Sequence, residues 1–200
     1  KIIISFDVTM KYIKHPLFLS ILCSLVLFTN CGDSDDPVAD GGSFIGLIGD
    51  PYQGGIVFYL DGNGKGLIAA TGDQTTEDGA EWGCYETELS GAGGTAIGKG
   101  GQNTLDILDG CSENGIVAKL SADYEVTEDG VTYDDWFLPS KDELNELYFN
   151  KATVGGFANG DYWSSTEFDF HTAWAQSFVN GSQLDYGKLG TYRVRSVRAF

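Results

Sequence analysis

Ser164, Ser165, Asp169 and His171 carry the letters of a nucleophilic hydrolase within eight consecutive positions. A serine nucleophile needs a base within about 3 Å and a third group to orient that base, usually on separate elements around an oxyanion hole. All four residues here fall on one strand-turn-strand stretch, and no nucleophile-elbow glycines flank either serine. The stretch therefore reads as a hairpin, and no catalytic residue is assigned. Gly93-x-x-x-x-Gly98-Lys99 approaches the phosphate-cradling loop, but Gly100 stands where a magnesium-binding hydroxyl belongs and no apolar strand leads in. It reads as a glycine-rich loop. Asp134-Asp135, Asp142-Glu143 and Glu167 with Asp169 are pairs of the kind that bind calcium or flank a glycosidic bond. Among 29 acidic residues such neighbours also arise by composition, so the metal is unassigned and calcium stays open as a cofactor. Asp61-x-Asn63 opens like a calcium loop, yet Lys65 and Gly72 occupy later ligand positions, which leaves a turn. Trp163 and Trp174 offer flat indole faces for a sugar ring, against the commoner role of a strand tryptophan in the core. Trp82 and Trp136 raise the same alternatives. The ligand-binding candidates are Trp163, Trp174, Glu167, Asp169 and His171.

Composition narrows the classes. Twelve basic against 29 acidic residues give a net charge of −17, which repels nucleic acid and anionic lipid head groups. His15 and His171 are the two histidines, too few for a multi-histidine metal centre once His15 is assigned to a leader. The arginines 193, 195 and 198 read as partners for internal carboxylates.

The first half-hundred residues read as an address and a tether. The chain opens on Lys1 and its one methionine is Met10, so residues 1–9 read as an over-read upstream of the start. Lys11 and Lys14 then precede an apolar run over 17–28, the layout of a secretory signal over 10–30. A membrane span needs about 20 apolar residues, so this run targets without spanning. Cys31 follows the apolar run and resembles the lipid-attachment cysteine of bacterial lipoproteins, although Thr29 and Asn30 are bulkier than the usual small residues. An ordinary cleaved signal is the alternative. Lipid at Cys31 implies a membrane partner through the anchor, and the acidic GDSDD that follows resembles a surface-export signal, placing the protein on the outer membrane facing outward. Residues 31–50 form the lipidated cysteine and a flexible acidic tether, and residues 51–200 the folded domain.

Within that domain the residues 55–60 and 66–70, joined by Asp-Gly-Asn-Gly, predict a hairpin. Asn103 or Thr104 is placed to cap a short helix, a second helix covers 114–120, and residues 125–135 form an acidic loop. Ser140 and Glu143 spell a capping box for a third helix. From Tyr162 onward the pattern becomes antiparallel strands, with an Asn180-Gly181 turn and a final strand to the C-terminus. Cys84 and Cys111 remain after Cys23 and Cys31 are assigned to the leader, and in an exported protein they pair as a disulfide.

The runs GGIVFYLDGNGKGLIAA, AIGKGGQNTLDIL, DWFLPSKDELNELY, YWSSTE, AWAQSF and VRSVRAF, in this order over residues 52–200, resemble the family named for the C-terminal domain of the bacterial collagen-like adhesin Lcl. That family is similar to C-type-lectin-like folds. The resemblance implies an α+β, mostly antiparallel domain with two or three short helices, in which the strand at 56–60 pairs with the strand at 194–200. It also implies a non-catalytic role in adhesion, with an extracellular glycan or protein as partner. The namesake binds sulfated glycans; this chain lacks collagen repeats and its charge repels sulfate, so the ligand does not carry over. Two alternatives stand beside it: a structural envelope or fimbria-associated lipoprotein, and an enzyme of the formylglycine-generating type with free thiols at Cys84 and Cys111.

Overall fold

The computed structural model describes residues 45–200. The residues expected to form the signal, the expected lipid-attachment residue Cys31 and the expected tether up to residue 44 lie outside the described residues. β1 (Pro51–Tyr52) turns back through Gln53 and Gly54 into β2 (Gly55–Leu60), and β3 (Gly66–Ala69) follows. The hairpin turn is set by Asp61, whose carboxylate accepts the N–H of Asn63 and of Lys65 at 2.7 and 3.1 Å. Those amides hold the Asp61 carboxyl below its ordinary range. Val57, Phe58 and all of β3 are buried, which is why these strands read as unbroken apolar runs rather than alternating ones.

A two-residue strand, β4 (Ala80–Glu81), precedes a long loop that ends in α1 (Gly100–Gly110), and α2 (Val117–Ala122) packs beside it. α1 begins three residues ahead of the expected cap. Asn103 and Thr104 lie inside it, buried, the amide of Asn103 donating to Gly94 O and the hydroxyl of Thr104 to Gly100 O. The acidic loop closes on itself as a small hairpin, β5 (Val126–Glu128) and β6 (Val131–Tyr133). α3 (Lys141–Phe149) starts at Ser140 with both halves of the capping box formed, and α4 (Lys151–Val154) extends it after a break at Asn150. β7 (Asp161–Glu167), β8 (Thr172–Ser177) and β9 (Gln183–Gly187) make a three-stranded antiparallel sheet. Gly181, at φ +83°, turns β8 toward β9, a backbone conformation that glycine adopts without strain.

The single final strand expected from the sequence is divided. β10 (Thr191–Tyr192) pairs with β4, and β11 (Val197–Ala199) pairs with β3 in a four-stranded sheet of order β1-β2-β3-β11. The segment between them is spent on Arg195, whose buried guanidinium meets Asp73 at 2.7 Å and donates to the carbonyls of Ala70, Gly155 and Gly156. Ion pairing of the C-terminal arginines with internal carboxylates follows the sequence reading, with Arg198 bonded to Asp135. The direct pairing expected between 56–60 and 194–200 does not occur. Both edges of β2 are taken, by β1 and β3, so the last strand adds to the free edge of β3. The architecture is α+β with mostly antiparallel sheet and few helices.

The main core joins Trp82, Ile107, Ile116, Leu138, Trp163 and Val194; a second, around Phe58, Leu147 and Phe178, lies under α3. Cys84 and Cys111 form a disulfide with Cα atoms 5.8 Å apart, fastening the loop after β4 to the end of α1.

Candidate functional site

The side chains of the hairpin that carried the triad letters are engaged in holding the strands and their turn. Ser164 donates to Trp174 O, Ser165 lies within reach of the Asn103 amide, and Thr166 donates to Gly94 O, all buried. Asp169 accepts the N–H of His171, the N–H of Thr172 and the Thr172 hydroxyl through one oxygen, at 2.7 to 3.0 Å. These donors hold its carboxyl below the ordinary range, the His171 amide contributing most. Asp169 is therefore the clamp of the β7–β8 turn, and the His171 ring stacks on Phe170 and Tyr85 at centroid distances of 3.9 and 5.1 Å.

Glu167 is likewise consumed. Its carboxylate takes the N–H of Leu89 through both oxygens and pairs with Lys188 Nζ at 2.5 Å. The Lys188 side chain is 0% exposed and that of Glu167 7%; the ammonium also donates to Thr87 O and lies 4.7 Å from the Trp82 ring. This buried pair ties the disulfide loop, which carries Tyr85, to the hairpin that carries residues 168–171. Trp163 is a correction to the stacking role. It is fully buried, its ring packs on Tyr192 at 4.8 Å and its indole N–H donates to Ala80 O, so no face is open to a ligand. Trp174 is half-buried on the other side of the sheet, its ring face covered by Lys141 Nζ at 3.2 Å and one side met by the edge of Phe168.

What the fold brings together at this end of β7 is an aromatic turn. Phe168, Phe170 and Tyr85 are 55%, 46% and 40% exposed, and His171 and Trp174 complete the cluster. These side chains fall into two contacts, Phe168 with Trp174 and Phe170 and Tyr85 with His171, on a turn fastened by a carboxylate clamp, a buried ion pair and a disulfide. Of the five sequence candidates, Trp174 and His171 belong to these contacts directly, Asp169 and Glu167 position the turn, and Trp163 takes no part. Tyr85, Phe168, Phe170 and Lys188 were missed. Phe168 and Phe170 alternate around Asp169 next to the candidate residues, a signal present in the sequence, whereas nothing local marks Tyr85 or Lys188.

No family model matches the chain, and no curated protein matches it.

Two other motifs resolve structurally. The glycine-rich loop leading into α1 does cradle an anion, but an internal one. The Glu143 carboxylate accepts the N–H of Gly98 and of Ser140 at 2.7 Å each, with Gly100 contributing as well, so one buried acid serves the starts of α1 and α3. Burial pushes the Glu143 carboxyl up, and the backbone donors partly offset it. A Cβ at Gly100 would overlap Glu143 Oε2, which accounts for that glycine. The sulfurs of Cys84 and Cys111 lie with the carboxylate of Glu113 in a metal-like group, yet the sulfurs are bonded to each other and Glu113 accepts the Cys84 N–H. No helix among the described residues is long and apolar enough to cross a membrane.

Proposed function

We propose that this chain is a lipid-anchored bacterial lipoprotein, held to the outer membrane through Cys31 and facing outward. Its C-type-lectin-like domain binds an extracellular glycan or protein without catalysing a reaction. The observation that supports this best is the aromatic turn: exposed Phe168, Phe170 and Tyr85 on a cross-braced support. A surface of this kind costs solubility unless something docks on it, and preorganisation lowers the entropy lost when it does. Aromatic faces suit both the apolar side of a sugar ring and an apolar protein patch.

The test is a broad glycan array probed with the full chain in mild detergent, with and without calcium, beside Phe168→Ala, Phe170→Ala and Trp174→Ala. Binding lost in folded turn variants supports a lectin-like site there. A silent array together with protein partners captured by the wild type but not by Phe170→Ala supports the protein-binding form. Silence in both, or capture indifferent to the turn, removes the proposed role of the aromatic surface and leaves the structural lipoprotein.

A further inference from the structure

Arg193 lies at the opposite end of β7 from the aromatic turn, about 20 Å away along the strand. Its backbone is fixed, the N–H donating to Asp161 O and the carbonyl accepting from Trp163 N, each at 3.0 Å. Its guanidinium is not. The side chain is 20% exposed, makes no hydrogen bond among the described residues, and comes no nearer than 3.7 Å to a carboxylate, that of Asp73. Asp73 has closer partners, receiving Arg195 at 2.7 Å and the Tyr162 hydroxyl at 2.8 Å. Two arginines thus converge on one acid. Arg195 is fully engaged, whereas the planar five-donor fork of Arg193 is largely withdrawn from bulk water with one long ion pair to Asp73 and no hydrogen bond.

Arg193 lines a cavity of about 220 Å³ together with Glu77, Asn159, Asp161, Thr191 and Tyr192, and its Nε lies beside Gly160 of the same lining. Donor and acceptor groups meet here around one phenol ring. Two carboxylates against one guanidinium disfavour an anion, as does the charge of the whole chain, and Arg193 disfavours a cation. A neutral ligand with several hydroxyls fits both sets, because each hydroxyl donates and accepts. The cavity is smaller than the roughly 300–1,000 Å³ of pockets for drug-sized ligands, which limits the occupant to about one ring.

We infer that this cavity is a binding site for a single neutral sugar ring, with Arg193 donating to its hydroxyls and Glu77, Asn159 and Asp161 accepting from them. The site rests on the glycan form of the proposed function but not on the aromatic turn.

The experiment titrates the full chain, in mild detergent, with glucose, galactose, mannose and N-acetylglucosamine at millimolar concentration, following backbone amides by NMR. The expected result is saturable shifts at Gly79, Gly160 and Thr191 with at least one sugar. Arg193→Met then weakens binding about tenfold or more, as expected for a charged hydrogen-bond donor lost, and Phe170→Ala changes nothing. Glu77→Ala, on an exposed side chain, keeps the test decisive if Arg193→Met does not fold: weaker binding supports the site and unchanged binding overturns it. Absence of shifts at those amides with all four sugars overturns it as well. Binding that Phe170→Ala abolishes and Arg193→Met spares overturns the cavity site while leaving the aromatic-turn function standing.

Discussion

Replacing Lys188 by Met tests whether the buried ion pair holds the aromatic turn. The Lys188 ammonium is withdrawn from water and has two oxygen partners, Glu167 Oε1 at 2.5 Å and Thr87 O at 2.8 Å. Methionine fills most of the same volume beside Trp82, so little of the effect comes from a cavity. Its main consequence is a nearly buried Glu167 carboxylate with no countercharge. Breaking a buried pair from one side costs about 3–5 kcal/mol. With a urea slope of about 2 kcal/mol per molar, the unfolding midpoint falls by about 2 M. Glu167→Gln leaves a buried ammonium instead, while its remaining carbonyl oxygen still accepts from Leu89, so it also destabilises strongly. The double variant Lys188→Met with Glu167→Gln carries neither charge and is much less destabilised than the two single losses together, with a coupling of about 2 kcal/mol or more. Urea denaturation followed by tryptophan fluorescence measures all four proteins. A loss under about 1 kcal/mol in Lys188→Met, the range of an exposed ion pair, or strict additivity in the double variant, refutes the reasoning.

Removing the disulfide as Cys84→Ala with Cys111→Ala frees a loop of sequence separation 27 and costs about 3–4 kcal/mol by the chain-entropy model, read as a lower melting temperature. Glu143→Gln puts an NH₂ group against a backbone N–H at Gly98 or Ser140, since both carboxylate oxygens accept there; it costs about 2–3 kcal/mol in urea denaturation despite removing a buried charge. The Tyr162 phenol is raised by burial first and by the Asp73 charge second. A raised folded-state value contributes stability that is fully present below the unfolded tyrosine value near pH 10 and is lost as pH climbs through the folded one. Stability therefore declines above about pH 10, and in Tyr162→Phe that decline is shallower, as measured by urea midpoints across the alkaline range. Asp169→Ala releases the donors at His171 and Thr172, so amide exchange at those two positions speeds up and binding through the aromatic turn weakens, while the fold is kept.

Elements whose determinants are close in sequence were legible. The capping box at Ser140 and Glu143, the first hairpin, the Asn180-Gly181 turn and the pairing of Cys84 with Cys111 each follow from residues whose local or compositional logic does not depend on the rest of the chain. The start of α1 was not legible, because Asn103 and Thr104 are good caps by type but are used as buried hydrogen-bonders to Gly94 and Gly100.

Sequence by itself determined the acidic character, the apolar run ahead of Cys31, the α+β strand and helix pattern and the aromatic residues around Asp169. Tertiary structure alone decided that Trp163 is core and Phe170 surface, although both are aromatic residues of one hairpin region. It decided that Glu167 is spent on Lys188 and Leu89, that the apparent phosphate loop cradles Glu143, and that Arg195 takes Asp73 and leaves Arg193 lining a cavity. The physical reason is the same in each case. A side chain's role depends on which partner reaches it first, and these partners lie 21 to 122 residues away in the chain, at separations where no local period or propensity carries information.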